Sequence, residues 1–336
     1  MKKNRAVGIV AIAVAAIVVI GAAAVLVPIP AQAAEPALQG TLTIAGSTTV
    51  MPICLEQARL MKDVHPGIKV SVSGGGSGHG VKAAGAGDID IGMVSRDLRA
   101  EEIEMFPDLK PVVIGIDSVA IVVHPNNPVA ELTTETAAKI FAGEITNWKE
   151  VGGTDNPIRI ITREEGSGTR DTFEEFVMEP FERTIAGAAF VKPSNGEIRA
   201  TVIGDELAIG YLSLGFLVPA LKAVAIDGVE PTFENVHAGR YPIMRNLLLV
   251  THGEPDELER AFIDFALGET GQTVVEEMGY MRVIPPVAEV PEEPEVPEVP
   301  EIQEVPEVPE VPGFGAVFAI AGLLAIAAYA MHRKRK

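Results

Sequence analysis

The stretch SVSGGGSGHGVK, residues 71–82, is the most informative about the fold, because a strand-like alternation of residues passes directly into a glycine-rich loop. Glycine lets a backbone approach a ligand closely, and free N–H groups at the start of a following helix bind oxyanions. The stretch therefore predicts a strand–loop–helix unit whose loop cradles an anion. It leaves open whether the loop hydrolyses a nucleotide or only holds its ligand.

Two other loops repeat this design: AGSTTV at residues 45–50 and REEGSGTR at residues 163–170. Each follows a predicted strand, precedes a predicted helix, and combines glycine with small hydroxyl residues. Taken singly, such a loop is most often just a helix N-cap. Three of them, one with an arginine fork suited to phosphate or sulfate, predict a site for an oxyanion.

The register of the first loop argues against nucleotide hydrolysis. A phosphate-binding P-loop continues as Gly-Lys-Ser/Thr, so that the lysine meets the terminal phosphates and the hydroxyl meets magnesium. Here Gly80 is followed by Val81, Lys82 and Ala83, so the lysine is out of register and the hydroxyl is missing. The sequence therefore favours a holder of the anion.

Strands and helices alternate through the middle of the chain, which predicts an α/β fold with ligands at the carboxyl ends of the strands. The predicted strands include residues 40–46, 88–94, 119–128, 157–162 and 246–250. The predicted helices include residues 48–67, 135–143, 170–178 and 256–268.

Composition narrows the function classes. The chain has 336 residues, 47% of them hydrophobic, and a formal net charge of −19, which makes nucleic acid an unsuitable partner. The single cysteine, Cys54, excludes an internal disulfide framework and a multi-cysteine metal site, and we expect it to be a small buried apolar residue. The sequence predicts no cofactor and no metal.

The amino terminus, residues 1–33, reads as a signal peptide. Three basic residues precede an uncharged apolar run, and AQA at residues 31–33 has the small-x-small form of a cleavage site. An uncleaved membrane helix is the alternative, because the run is long for a signal.

The carboxyl terminus predicts a tether. Residues 287–312 form a stalk rich in proline and glutamate that is too polar to build a core and is held extended by its prolines. Residues 313–336 are an apolar helix with a basic tip, which by the positive-inside rule stays in the cytoplasm. The globular part is therefore expected outside the cell, anchored at its surface.

Pro312, Gly313 and Phe314, followed by the apolar helix and the basic tip, resemble the PGF-type sorting signal of archaeal surface proteins. That resemblance implies removal of the helix by a sortase-like enzyme and its replacement by a lipid anchor. A plain anchor helix is the alternative, and either way the domain is tethered.

The globular part resembles the phosphate-binding proteins of ATP-driven phosphate importers. The matching stretches run in the family's order from about residue 40 to residue 280, and they include AGSTTVMP, GGGSGHGVKA, IFAGEITNWKEVGG and IRIITREEGSGTRDTFEEF. The resemblance implies a two-lobed periplasmic-binding-protein fold of type II, with inorganic phosphate and an ABC-type membrane permease as partners. It also implies that the chain crosses twice through a two-strand hinge, so that residues 34–118 and 245–286 form a discontinuous first lobe and residues 119–244 form the second.

The site residues carried over by this resemblance share small or hydroxyl side chains, with two arginines. They are Ser47, Thr48, Thr49, Ser77, Ser95, Arg96, Arg163, Ser167, Gly168 and Thr169. Some family members place an aspartate after the DIG strand to accept the proton of hydrogen phosphate, whereas this sequence has Ser95-Arg96-Asp97. Asp97 is then the candidate acceptor, and a general oxyanion receptor that also takes sulfate is the alternative.

Several other residues have a structural and a functional interpretation. His79 could contact the anion from the glycine loop, although an exposed loop histidine is the commoner case. We expect Trp148 to pack inside the second lobe, and Arg240 and Arg245 to form structural ion pairs. We expect Glu164 to orient Arg163 or to cap the following helix.

Two further function classes remain at this point. A hydrolase using Ser77 or Ser167 would need a base within hydrogen-bond reach, and the histidines outside the signal and tail stand in no recognisable triad. A surface sensor or adhesin that keeps the pocket as a relic is the other possibility.

Overall fold

The structure, a computed structural model, describes residues 38–283, so the predicted signal peptide, stalk and C-terminal apolar helix lie outside the described residues. Within that range, no helix is both long enough and apolar enough to cross a membrane. The strands are β1 Gly40–Gly46, β2 Ile68–Ser73, β3 Ile91–Val94, β4 Leu109–Val123, β5 Glu131–Leu132, β6 Arg159–Arg163, β7 Phe190–Lys192, β8 Ala208–Ser213, β9 Lys222–Ala223, β10 Ala225–Ile226 and β11 Met244–His252. The helices are α1 Met51–Val64, α2 Ser77–Ala86, α3 Ala100–Met105, α4 Thr134–Phe141, α5 Gly168–Phe173, α6 Asn195–Ile203, α7 Phe233–His237, α8 Glu257–Leu267 and α9 Glu269–Glu277.

One sheet of nine strands runs through the described part of the chain in the order β2-β1-β3-β11-β4-β8-β6-β7, with β9 beside β4. The pairs β1/β2, β1/β3, β6/β8 and β6/β7 are parallel, as the alternation of strands and helices predicts. The two long strands β4 and β11 are antiparallel to each other and occupy the middle. The predicted mixed α/β fold is thus confirmed.

The strand β4 is the element that joins the two halves of the sheet. Its first ten residues pair with β11, and its last five, from Val119, pair with β8. The sequence predicted a strand from residue 119 to 128, so β4 begins ten residues earlier than expected and ends at Val123. Pro111 and Gly115 weaken the strand signal of the first half, which is stabilised by long-range pairing with β11 and by a bridge between Ile116 and Met281.

Two hydrophobic cores lie on either side of this crossing. The first contains Leu42 and Ile44 from β1 together with Leu247 and Leu249 from β11, so it is built from both ends of the described chain. The second is drawn from residues between Val119 and Ile243 and includes the indole of Trp148. The first lobe is therefore discontinuous, as predicted, while the exact boundaries at 118/119 and 244/245 stay a prediction.

Helix α1 shows how local sequence sets the orientation of a lobe. Its buried positions, Ile53, Cys54, Gln57, Ala58 and Met61, recur every three or four residues and form one apolar face. The thiol of Cys54 is fully buried, and burial raises its pKa, so the expected role as a small apolar residue is confirmed. The helix packs onto the first core and leaves its amino end, next to the loop 45–50, at the cleft side of the lobe.

Candidate functional site: a closed cavity lined by hydrogen-bond donors

A small cavity lies where the three glycine- and hydroxyl-rich loops meet, and the empty space in it, open solvent included, is about 110 Å³. Its lining comes from the loop after β1, the start of α2, the end of β3 and the junction of β6 with α5. The lining residues are Ser47, Thr48, Thr49, Gly76, Ser77, Ser95, Arg163, Ser167, Gly168 and Thr169. Nine of the ten predicted site residues are therefore brought together, and contact of each with a bound anion stays a prediction.

Glycine residues in two of the loops allow the loops to approach one another closely. Gly75 and Gly76 have φ values of +135° and +85°, which side-chain-bearing residues rarely adopt, and Gly76 stands directly before the first residue of α2. A Cβ atom at Gly168 would overlap Ser77 Oγ and come within 2.7 Å of Ser95 Oγ. Glycine at this position is what lets α5 approach the first lobe.

Arg163 supplies the positive charge of the cavity. The residue is 1% exposed, and its Nε and Nη2 donate to the carboxylate of Glu164 at 2.9 and 2.8 Å. Nη2 also donates to Thr48 Oγ1 at 3.2 Å, whereas Nη1 has no hydrogen-bond acceptor within residues 38–283. A buried guanidinium donor without a partner is costly, so this arrangement calls for an anionic acceptor. Glu164 orients the arginine, as expected.

An aromatic group in the second core holds Arg163 in place. The backbone N–H of Arg163 donates to the hydroxyl of Tyr211 at 3.2 Å, and that ring stacks on Phe173 of α5 with 4.0 Å between ring centroids. Burial raises the pKa of the Tyr211 hydroxyl, which stays neutral. The same ring therefore fixes both the strand that carries the cation and the helix that closes the cavity.

The hydroxyl groups are arranged to donate into the cavity. Ser47 Oγ accepts from the N–H groups of Thr49 at 3.1 Å and Val50 at 3.4 Å, and Ser77 Oγ accepts from the N–H of Ser95 at 3.1 Å. A hydroxyl has two acceptor positions and one proton, so acceptance from the protein leaves the proton for another partner.

Thr49 extends this logic to two residues that the sequence analysis did not assign to the site. Its Oγ1 accepts from Asn195 Nδ2 at 2.8 Å and from Arg245 Nη2 at 3.2 Å, which occupies both acceptor positions, so its proton is left for Thr169 Oγ1 at 3.3 Å. Asn195 Oδ1 in turn accepts from the N–H of Ser213. In the sequence, Asn195 follows a helix N-cap serine and carries no other signal of a role at the cavity.

The structure does not bring the side chain of Arg96 to the cavity lining. Its side chain is 6% exposed and points to carboxylates outside the cavity lining: Nε donates to Asp171 at 2.6 Å, and Nη1 and Nη2 donate to Glu102 at 2.8 and 2.7 Å. Burial works against both charges, but the hydrogen bonds and opposite charges of the pair outweigh it. The pKa of Arg96 therefore lies above its ordinary value and that of Glu102 below it. With its donors engaged in this way, the guanidinium of Arg96 does not reach the cavity.

Asp97 and His79 also lie outside the cavity lining. Asp97 is exposed, and its carboxylate accepts from Asn246 Nδ2 at 2.9 Å, so its position gives no support to a role as the proton acceptor. His79 is exposed and its ring lies against Gly75.

Three structural interpretations from the sequence are confirmed. Trp148 is 1% exposed in the second core, and its Nε1 donates to the carbonyl of Leu207 at 3.1 Å. Arg240 pairs with Glu234 at the surface, and Arg245 pairs with the buried Asp117 at 2.6 Å between the two long strands.

The lining residues within the described range include one cation and no acidic, histidine or cysteine side chain. Residues 38–283 also contain no cluster of three metal-ligating side chains. Such a cavity suits a small, desolvated anion, because every polar group that faces it is a donor or can become one.

Comparison with known proteins places this chain in a family. Residues 31–270 match the PBP superfamily domain, and residues 311–334 match the PGF-CTERM motif. The phosphate-binding protein PstS of Bacillus subtilis is 33% identical over 254 residues, which covers 74% of this chain and 83% of that protein. PstS of Borreliella burgdorferi is also 33% identical, over 252 residues that cover 72% of this chain and 90% of the relative.

Solved structures agree with the sequence comparison. A phosphate ABC transporter substrate-binding protein from Clostridium perfringens with bound phosphate is 40% identical and superposes with a TM-score of 0.69, covering 73% of this chain and all of that one. An ABC-type phosphate transport receptor from Vibrio cholerae is 33% identical with a TM-score of 0.61, covering 72% and 100%. The chain therefore belongs to the PBP superfamily and, within it, to the PstS family of phosphate-binding proteins, and it carries a PGF-CTERM motif at its carboxyl end.

Proposed function

We propose that this protein captures inorganic phosphate outside the cytoplasm, between its two lobes, and delivers it to an ABC-type permease in the membrane. The observation that carries the proposal is Arg163: a buried guanidinium at a closed cavity with one donor, Nη1, left without an acceptor in the described residues. A bound phosphate oxygen would satisfy that donor. The relatives that carry the name phosphate-binding protein support the choice of anion.

Close contacts between the two lobes favour a small free anion over an ester. Most of the lining residues are buried, and the empty space between them is only about 110 Å³ with open solvent included, which leaves no room for a sugar or nucleoside attached to the anion. Thr49 Oγ1 and Thr169 Oγ1 lie 3.3 Å apart, and the N–H of Gly78 donates to the carbonyl of Gly166 at 2.9 Å, so the lobes touch directly. The anion would be held without its hydration shell.

The arrangement of the serine hydroxyls at the cavity gives little support to a hydrolytic function. An activated serine donates its proton to a neighbouring base. The described residues that line the cavity include no histidine or carboxylate that could take the proton of Ser77 or Ser167. The hydroxyls at this cavity are better suited to binding than to attack.

Surface attachment completes the proposal. The PGF-CTERM motif at residues 311–334 and the predicted signal at residues 1–33 bracket the binding domain. A domain tethered through the acidic stalk would stay close to the permease that receives its ligand, which raises its effective concentration there.

A general oxyanion receptor is the second candidate, because no acidic side chain is found among the described residues that line the cavity. A carboxylate would accept the proton of hydrogen phosphate and repel sulfate, whereas a hydroxyl can donate to one anion and accept from the other. Ser95 Oγ has this freedom, because its only protein partner in the described residues is Ser77 Oγ at 3.3 Å.

Calorimetric titration of the purified protein with phosphate, with and without a large excess of sulfate, separates these functions. We expect one phosphate per chain. If sulfate leaves the phosphate affinity unchanged, the phosphate carrier is supported. If sulfate competes at similar concentration, the general receptor is supported, and if neither anion binds in titration and in equilibrium dialysis, both functions are wrong.

A further inference from the structure

A cluster of four charged side chains joins the two lobes next to the cavity without lining it. Arg96, Arg99 and Glu102 follow β3 in the first lobe, and Asp171 lies on α5 in the second. Asp171 accepts from Arg96 Nε at 2.6 Å through one carboxylate oxygen and pairs with Arg99 Nη2 at 2.7 Å through the other. Both of its oxygens are thus occupied by cations of the opposite lobe.

The two sides of this contact are continuous with the cavity wall. Arg96 directly follows Ser95, and Asp171 lies two residues after Thr169, and Ser95 and Thr169 both line the cavity. Among the other direct contacts between the lobes, Gly78 donates to Gly166 through backbone groups, and the guanidinium of Arg163 donates to the neutral hydroxyl of Thr48. The Asp171 contact is a charged bond between the same two segments that would enclose the anion.

The first-lobe half of the cluster is held in place independently of Asp171. Glu102 binds Arg96 through both carboxylate oxygens and also accepts from the backbone N–H of Arg99 at 3.0 Å, while Arg96 Nη1 donates to the carbonyl of Asp97 at 2.9 Å. If the lobes part, Arg96 keeps these partners and stays in position. Asp171 and the more exposed Arg99 lose their mutual bond, whereas Arg96 is already in position, so closure costs little ordering of the Arg96 side chain.

The surroundings keep the cluster partly shielded from water. The side chains of Arg96 and Asp171 are 6% and 13% exposed, whereas that of Arg99 is 43% exposed. Charge-assisted hydrogen bonds in such a setting are stronger than surface pairs and less screened by salt. The acidic groups Glu175 and Asp97 face the same region, so the two arginines offset a local excess of negative charge.

We infer that Asp171 with Arg96 and Arg99 forms a closure latch, which holds the lobes together over the bound anion and slows its release. The inference rests on the proposed function, because the anion whose release is slowed is the phosphate of that proposal. Arg96 thereby becomes a positioning residue that acts through closure and does not touch the ligand.

The first test is the rate of phosphate release, measured with the full-length protein by loading radiolabelled phosphate, diluting into excess cold phosphate and filtering rapidly. We expect Asp171→Asn to release phosphate about tenfold faster than the unaltered protein, with a smaller change in the association rate. Arg99→Gln removes only the more exposed half of the latch and should give a smaller acceleration. Glu144→Gln is the matched control, because it breaks a 2.8 Å pair with Arg183 inside the second lobe and should leave release unchanged.

The second test does not depend on phosphate. Spin labels on Lys62→Cys in the first lobe and Lys149→Cys in the second would report the distance between lobes by electron–electron double resonance, since Cys54 is buried and does not take a label. In phosphate-free buffer, Asp171→Asn should populate longer distances than the unaltered protein or the Glu144→Gln control. Release within twofold of the unaltered protein together with an identical distance distribution would overturn the latch. Absence of phosphate binding by the unaltered protein would overturn the proposed function, and the distance measurement would still decide whether the latch exists.

Discussion

The cavity and the hinge each contain a buried arginine, and the two differ in the carboxylate that accompanies it. At the cavity, Arg163 is paired with its sequence neighbour Glu164, whose side chain is 28% exposed. At the hinge, Arg245 of β11 is paired with Asp117 of β4, whose side chain is 0% exposed. Both arginines leave Nη1 without an acceptor in the described residues.

The difference distinguishes a binding cation from a structural one. Glu164 can turn towards water, so the charge of Arg163 remains available to an anion that enters the cavity. Asp117 has no such freedom, because it lies opposite Arg245 in the register of two long strands and is enclosed with it. We therefore expect the hinge pair to stabilise the contact between the two strands, and Arg163 of the cavity pair to bind the ligand. Thr49 Oγ1 connects the two regions, since it accepts from Arg245 and lines the cavity.

The largest effect, a loss of phosphate affinity, is expected from Arg163→Ala at the cavity. Removing the only cation among the described lining residues should weaken phosphate binding by about a thousandfold, or roughly 4 kcal/mol, because a desolvated anion would lose its charged hydrogen bonds. Calorimetric titration of the variant measures the loss.

The control for this variant is its stability in phosphate-free buffer. Denaturant unfolding should show a smaller loss of the free energy of unfolding than the hinge variant below, because the missing charge was only partly compensated in the empty cavity. If Arg163→Ala binds phosphate normally, the assignment of the cavity as the binding site is wrong.

Much of the cavity could be predicted from the sequence, because its parts are local signals placed by a general rule. Each of the loops around Thr48, Ser77 and Ser167 joins a strand to a helix. The parallel strands β1 and β2 bring the first two junctions to one edge of their half of the sheet, whereas β6, which precedes Ser167, lies in the other half and runs in the opposite sense. The alternation of strands and helices, together with the resemblance, was enough to place them near one another. Gly76 lies in the predicted glycine loop, but the sequence analysis did not name it as a residue of the cavity.

What the sequence could not predict is the direction of long side chains. Arg96 stands beside Ser95 in the chain, but its guanidinium is turned away by Glu102 and by Asp171, which is 75 residues distant. Asn195 donates to Thr49, which is 146 residues away in the chain, and no local motif predicts this hydrogen bond. Both outcomes depend on tertiary contacts that leave no periodic trace.

The next largest effect is expected at the hinge, from Asp117→Asn. Loss of the buried carboxylate charge leaves Arg245 uncompensated, which should lower the free energy of unfolding by roughly 3 kcal/mol. Denaturant unfolding in phosphate-free buffer measures this loss. One phosphate per chain should still bind, because Asp117 does not line the cavity.

A double variant separates loss of the pair from the cost of an unpaired charge. Replacing both partners, as Asp117→Leu with Arg245→Met, should recover part of the stability lost in Asp117→Asn, since no buried charge remains. A double variant that is less stable than Asp117→Asn would contradict the view that the hinge pair is a closed, purely structural unit.

The smallest effects are expected when the same conservative change, arginine to lysine, is made at the hinge and at the cavity. Lysine keeps the charge of arginine but loses the planar fork, so Arg245→Lys can still meet Asp117 while giving up one of its two donors to that carboxylate or its bond to Thr49. We expect a loss of about 1 kcal/mol in the free energy of unfolding, the usual size of one hydrogen bond, and a phosphate affinity within about threefold of the unaltered protein. Arg163→Lys should show the opposite balance, with little change in stability and a clear loss of affinity, because Arg163 lines the cavity, where we propose that its Nη1 donates to the anion, and Arg245 does not line it. Parallel titration and unfolding of the two variants provide the measurement. If both lysine variants lose affinity equally, the hinge arginine takes part in binding through Thr49, and the division between a structural and a binding cation would have to be given up.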